Sequence, residues 1–175
     1  MAHKTRLAVL LVLLGLALPG AAWAGGDVFG GYSFERSDAV SRHGWGASVA
    51  FGLLGPFSVV ADASGHYGAQ EGVDRDQITL MAGPRFSFRR GGSPTPFVHA
   101  LVGLLRERTG FTVLDLTISE EENRFGMLLG GGVDTRVGER WSVRVEGDYE
   151  RSFREGESRG GFRVSVGAVL RFGVR

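Results

Sequence analysis

Asp62, Ser64 and His66 stand at i, i+2 and i+4 in a stretch where large apolar residues alternate with small or polar ones. On an extended segment that spacing puts all three side chains on one face. The residue types are those of a hydrolase, because a serine becomes a nucleophile when a histidine takes its proton and a carboxylate orients the histidine. The spacing opposes this chemistry within one strand. Same-face neighbours lie about 7 Å apart, whereas a nucleophile and its base must approach to about 3 Å. Glu120, Glu121 and Glu122 offer hard oxygen ligands, but three adjacent carboxylates do not converge on one ion. Gly130, Gly131 and Gly132 lack the lysine and the helix of a phosphate loop. Cysteine is absent, which excludes thiol nucleophiles, disulfides and thiolate metal sites. No catalytic residue, metal ligand or cofactor is therefore assigned, and the chain is not expected to be an enzyme.

The elements that would carry these residues share a period of two, and no segment sustains a period of 3.6. Eight such segments follow one another: 27–36, 43–53, 57–68, 77–88, 95 to about 105, 124–137, 141–151 and 162–172. The seventh is the cleanest, with Trp141, Val143, Val145 and Tyr149 opposed to Ser142, Arg144, Glu146, Asp148 and Glu150. The 29 glycines of the 175-residue chain oppose helix, since each costs about 1 kcal/mol there. Within strands they mark bends and close backbone approach. Connections after the second, fourth and sixth segments are short, and those after the others are longer and polar. An even strand number, with short turns at one end and longer loops at the other, is the layout of a membrane barrel.

The N-terminus carries Lys4 and Arg6, an apolar run of 12 residues from Leu7 to Leu18, and the small-residue site Ala22-Trp23-Ala24. This is the layout of a secretory signal peptide over residues 1–24; the run is short for a spanning helix, which needs about 20 residues. Residues 25–175 then form one domain. Its formal charge falls from +1 to −1 as both signal cations leave, so no basic field points to nucleic acid. All remaining cations are arginines, whose forks suit buried carboxylate pairs.

Aromatic residues fall near strand ends on the apolar faces, among them Trp45, Tyr67, Phe86, Phe88, Phe125, Trp141, Tyr149, Phe162 and Phe172. Such rings form the interfacial girdles of a membrane barrel. In a soluble barrel of lipocalin type the eight charge-poor apolar faces would have to fill one narrow interior, which these rings would overcrowd. The expected fold class is therefore all-β: an eight-stranded antiparallel up-and-down transmembrane β-barrel.

Five stretches, 28–33, 60–68, 83–88, 95–100 and 162–173, resemble the small outer-membrane-protein β-barrel domain of OmpA-like and OmpX-like type. The resemblance implies a barrel in a Gram-negative outer membrane, in contact with its lipids and lipopolysaccharide and inserted by the barrel-assembly machinery. It carries over no catalytic residues. Outer-membrane lipid-modifying enzymes do recruit a serine from another strand to a histidine, which leaves a lipid-modifying enzyme as one alternative and a small-solute pore as the other. Family members usually end their assembly signal on an aromatic, here Phe172, although Gly173, Val174 and Arg175 follow.

The inward-facing set of such a barrel includes Asp62, Arg85, Asp134, Arg136, Arg144, Glu146, Asp148, Arg163 and Arg171, with His66 and His99 nearby and His66 expected near the outer rim. An eight-stranded interior is filled by its own side chains, so these charges are expected to neutralise one another and close the lumen. Beyond Leu104, Phe111, Val113, Leu114, Leu116 and Ile118 continue with strand-forming residues past the expected membrane boundary. Apolar residues there need covering. A protruding hairpin whose edge pairs with an extracellular protein is the simplest arrangement, with a lid over the mouth and a mobile loop as alternatives. A monomer with a structural or surface-interaction role is expected.

Overall fold

The computed structural model describes residues 25–37, 40–70, 73–88, 92–113, 116–154 and 157–173. The expected signal peptide, residues 1–24, lies outside them. Eight strands run in chain order: β1 (Gly26–Ser37), β2 (Val40–Gly52), β3 (Phe57–Gln70), β4 (Val73–Ser87), β5 (Thr95–Val113), β6 (Leu116–Arg136), β7 (Trp141–Arg154) and β8 (Glu157–Phe172). Each pairs antiparallel with its chain neighbour, and β1 closes on β8 from Gly26↔Phe172 to Ser37↔Gly161. Closure removes every edge along the body of the barrel.

The pairing register keeps the alternation in phase around the ring. Val28, Tyr32, Trp45, Val59, Leu80, Val102, Val145 and Val166 point outward and exposed, while Ser33, Asp62, Thr79, Arg144, Glu146 and Arg163 are buried inside. An apolar exterior around a charged interior inverts a water-soluble barrel and matches a lipid surround. The rings form two belts. Phe57, Phe86 and Phe88 stack edge to face at 5.0 and 4.9 Å near the end that bears both termini. Trp45, Tyr67, Tyr149 and Phe162 lie toward the other end, where Tyr149 and Phe162 pack 5.3 Å apart. Trp45 lies across Gly65, and a Cβ at Gly65 would sit 2.7 Å from the indole Nε1. The glycine thus gives the girdle ring its seat.

Strands β5 and β6 run past the expected bounds of about 105 and 124, as the protruding-hairpin arrangement requires: they are 19 and 21 residues long, about twice what a spanning strand needs. The alternation fades there because both faces of a strand beyond the bilayer can be polar. The lumen is not wholly polar. Ala50, Val60, Met81, Leu101, Leu105 and Leu128 form a buried inward-facing cluster, which fills space that charges alone could not occupy without unpaired groups.

Candidate functional site: the barrel lumen and its outer mouth

At the terminus end, Asp27 on β1 receives both Arg85 and Arg144. Arg85 Nη1 donates to its Oδ1 at 3.2 Å and Nη2 pairs with Oδ2, while Arg144 Nη2 reaches Oδ1 at 3.1 Å. Arg144 also forks onto Asp134, at 2.7 and 3.0 Å. Its guanidinium lies over the rings of Phe97 and Phe29, at 4.7 and 5.3 Å from their centroids. These cation–π contacts seat the guanidinium against an aromatic wall. Arg171 is 3.8 Å from Asp134. Arg136 shares the inward parity but lies exposed at the rim, so the structure keeps it out of the buried network.

Midway along the lumen, Arg163 gathers carboxylates from two strands, β3 and β7. It donates to Asp148 at 2.9 Å, Asp62 at 2.8 Å and Ser64 at 3.1 Å, and lies 3.6 Å from Glu146. His99 Nε2 meets Asp148 Oδ1 at 2.8 Å. The donor atoms of His99, Glu146 and Asp148 fall within 4.8 Å of one another. Arg163 and Arg144, the latter 3.9 Å from Glu146, supply the positive charge that such a cluster demands, so the arrangement is a charge network in its own right. Gly130 makes room for it, since a Cβ there would lie 2.0 Å from Asp148 Oδ1.

Asp62, Ser64 and His66 do not form a relay, because Arg163 takes the first two. His66 instead sits between two residues of β1: Ser33 Oγ is 2.9 Å from its Nε2 and Glu35 Oε2 is 3.3 Å from its Nδ1. A serine recruited from another strand is the requirement that spacing within β3 could not meet. Yet Ser33 and His66 are both fully buried, neither lines the mouth cavity, and Ser33 also meets Ser165 Oγ at 3.1 Å. His66 therefore lies below the rim where the sequence reading put it.

Above this level lies a cavity of about 230 Å³ at the mouth, walled by Glu35, Arg42, Gln77, Glu107, Arg124 and Glu150 among others. Glu107 lies 3.4 Å from both Arg42 and Arg124, and Arg124 also binds Glu122 at 2.8 Å. Of these wall residues Glu150 and Gln77 figured in the sequence reading, on the polar faces of the seventh and fourth segments. Inward parity was the available signal: Glu35 lies in phase with Ser33, and Gln77 with Thr79.

Beyond the mouth, β5 and β6 stay paired to Val113↔Leu116, and β4 accompanies β5 to Val73↔Phe111. The β6–β7 ladder stops at Phe125↔Phe153. Among the described residues, β6 from Leu116 to Glu121 therefore has no paired strand on its second side. Phe111, Leu116 and Ile118 lie on this paired extension, with Phe111 opposite Ile118; Leu114 lies outside the described residues. At the opposite end Phe172 closes β8, exposed, with its ring 6.1 Å from that of Phe51. Gly173 then leaves the strand at φ +67°.

No protein-family profile matches the sequence, and no curated protein matches it. Solved structures do. Neisserial surface protein A superposes with a TM-score of 0.61 at 14% identity, over 85% of this chain and 96% of that one. Ail, the attachment invasion locus protein of Yersinia pestis, gives 0.59 at 15% identity, over 85% and 97%. The outer membrane protein OprG from Pseudomonas aeruginosa gives 0.58 at 11% identity, over 85% and 95%. What is shared at these identities is the fold, the eight-stranded barrel of small outer-membrane proteins.

Proposed function

We propose that this protein is an outer-membrane barrel that presents the β5–β6 hairpin outside the cell as a pairing edge for a protein partner, above a lumen closed by its own charges. The side of β6 from Leu116 to Glu121 that no strand pairs with among the described residues carries this reading. A row of unpaired backbone donors and acceptors is a template for strand addition, and the closed body of the barrel gains nothing from leaving one. One structural neighbour is described as an attachment invasion locus protein and another as a surface protein, which fits a role in surface contact. Outer-membrane lipid and lipopolysaccharide would surround the apolar belt, and the barrel-assembly machinery would insert it through the strand ending at Phe172. Catalysis is not assigned, because a serine and histidine buried at the level of Ser33 and His66 offer no approach to a substrate carbonyl.

The test is a shortened hairpin. Arg108 and Glu121 face each other in the register, so residues 109–120 can be replaced by Asn-Gly, a two-residue turn that suits paired strands. The variant should fold and reach the membrane like the parent, while cells displaying it lose the adhesion or partner capture that the parent confers. Undiminished adhesion with the shortened hairpin would remove this edge from the functional account.

A further inference from the structure

The two ends of the barrel differ in charge. The segments joining strands at the terminus end, 53–57, 88–95 and 136–140, together with the closing residues 171–175, hold Arg89, Arg90, Arg136, Arg140, Arg171 and Arg175 against Glu139 alone. The segments at the mouth, 36–42, 70–76, 106–124 and 151–159, hold eleven acids against nine arginines. The buried acids nearest the terminus end are already committed. Asp27 binds Arg85 and Arg144, and Asp134 takes the Arg144 fork with Arg171 3.8 Å away. Arg136 and Arg140 are exposed at the rim and form no ion pair among the described residues. The turn that carries them keeps them close to the membrane. The N–H groups of Val137 and Gly138 both donate to the Trp141 carbonyl, at 3.0 and 3.2 Å, and the Arg171 N–H donates to the Arg140 carbonyl at 2.9 Å. A turn closed this tightly cannot reach far into water. Its residue Val137 is apolar and 65% exposed, Trp141 stands exposed beside Leu170, and Leu54 in the β2–β3 turn is 81% exposed. Exposed apolar turns beside a tryptophan suit the boundary between hydrocarbon and headgroups.

We infer that this rim binds the headgroup of an anionic phospholipid in the leaflet around the terminus end, with Arg136 and Arg140 donating to its phosphodiester. The inference rests on the barrel spanning a membrane and is independent of the hairpin edge. A guanidinium forks onto two phosphate oxygens, and its stem lies along apolar surface while the head stays at the interface. Arg171 shares Asp134 with Arg144 and so adds positive potential beside the turn. A zwitterionic headgroup brings its own cation, which these arginines repel, so the rim favours phosphatidylglycerol or cardiolipin over phosphatidylcholine or phosphatidylethanolamine. A soluble acidic polymer would answer the charge but leave Val137, Leu54 and Trp141 uncovered.

Residues 25–175 contain two tryptophans, Trp45 on the mouth side and Trp141 at the terminus end, so each end can be read alone. The purified barrel with Trp45→Phe or Trp141→Phe is refolded into vesicles of phosphatidylcholine and phosphatidylglycerol, the chains of one lipid or the other being brominated to quench an indole that they touch. Trp141 should report phosphatidylglycerol enriched about fivefold over phosphatidylcholine, the worth of one surface arginine. Trp45 should report no such enrichment. Arg136→Gln together with Arg140→Gln should leave the barrel folded and bring the Trp141 ratio close to one. Glu139→Gln should raise that ratio, and high salt should lower it. Equal quenching by the two lipids at Trp141 would overturn the inference and leave a soluble acidic polymer as what the arginines meet. So would an enrichment unchanged by the two glutamines, or the same enrichment at Trp45.

Discussion

Replacing Arg163 by methionine should unfold the centre of the charge network, and its cost follows from the ion pairs that the guanidinium makes. That group is within 2.9 Å of Asp62 and Asp148 and 3.6 Å from Glu146, all three buried. Methionine fills a similar length without charge and leaves three carboxylates to share Arg144, 3.9 Å from Glu146, and His99, 2.8 Å from Asp148. Breaking a buried pair by removing one partner costs about 3–5 kcal/mol. At about 1.4 kcal/mol per decade the unfolding equilibrium should shift by roughly two to three and a half orders of magnitude. Arg163→Lys keeps the charge but cannot fork between two carboxylates, so it should fall between parent and methionine. Adding Asp148→Asn to Arg163→Met should recover part of the loss. The assay is urea titration of the barrel in lipid vesicles, followed by the fluorescence of Trp45 and Trp141. A cost within about 1 kcal/mol, the range of an exposed ion pair, would refute the view that these charges hold the lumen together.

Val145 faces outward at 55% exposure, so Val145→Arg near the bilayer midplane should cost about 2–4 kcal/mol in the same titration, while Glu139→Arg in the exposed β6–β7 turn should cost almost nothing. Phe172→Ala should reduce insertion by the assembly machinery, measured as the folded fraction in outer-membrane preparations, whereas deletion of Val174 and Arg175 should be tolerated. Planar-bilayer recording should show no stepwise conductance, because the lumen is filled by paired side chains. Currents that change with Glu146→Gln would instead mark a pore.

The barrel was legible in the sequence because strands with one face in lipid and one in a polar interior have strict alternation. Trp141 to Arg151 shows it without a break, and the structure keeps that parity for all eight strands. Strand bounds were less legible where the lipid constraint ends. Arg106 to Val113 and Leu116 to Asn123 carry charged residues at both parities, so the lipid-facing alternation that marks a strand's extent is lost although they pair as strand. The lumen was half legible. Parity identifies Arg144, Asp148 and Arg163 as inward residues, but it cannot say that Arg163 of β8 meets Asp62 of β3, or that His66 of β3 meets Ser33 and Glu35 of β1. Those contacts depend on closure and on the stagger of the strands, which no local pattern encodes. Met81, Leu101 and Leu128 are hidden from a parity reading for the converse reason: they are apolar residues on the polar face, filling the interior.

A barrel that holds its hairpin outside the cell and its termini inside can be tested directly, because the chain has no cysteine of its own. Single cysteines at Ser119 on the β6 extension and at Glu139 in the β6–β7 turn should report the two ends separately to a membrane-impermeant maleimide. In intact cells the Ser119→Cys protein should label fully and the Glu139→Cys protein should not label until the outer membrane is permeabilised. Equal labelling of the two, or labelling at position 139 alone, would contradict the account.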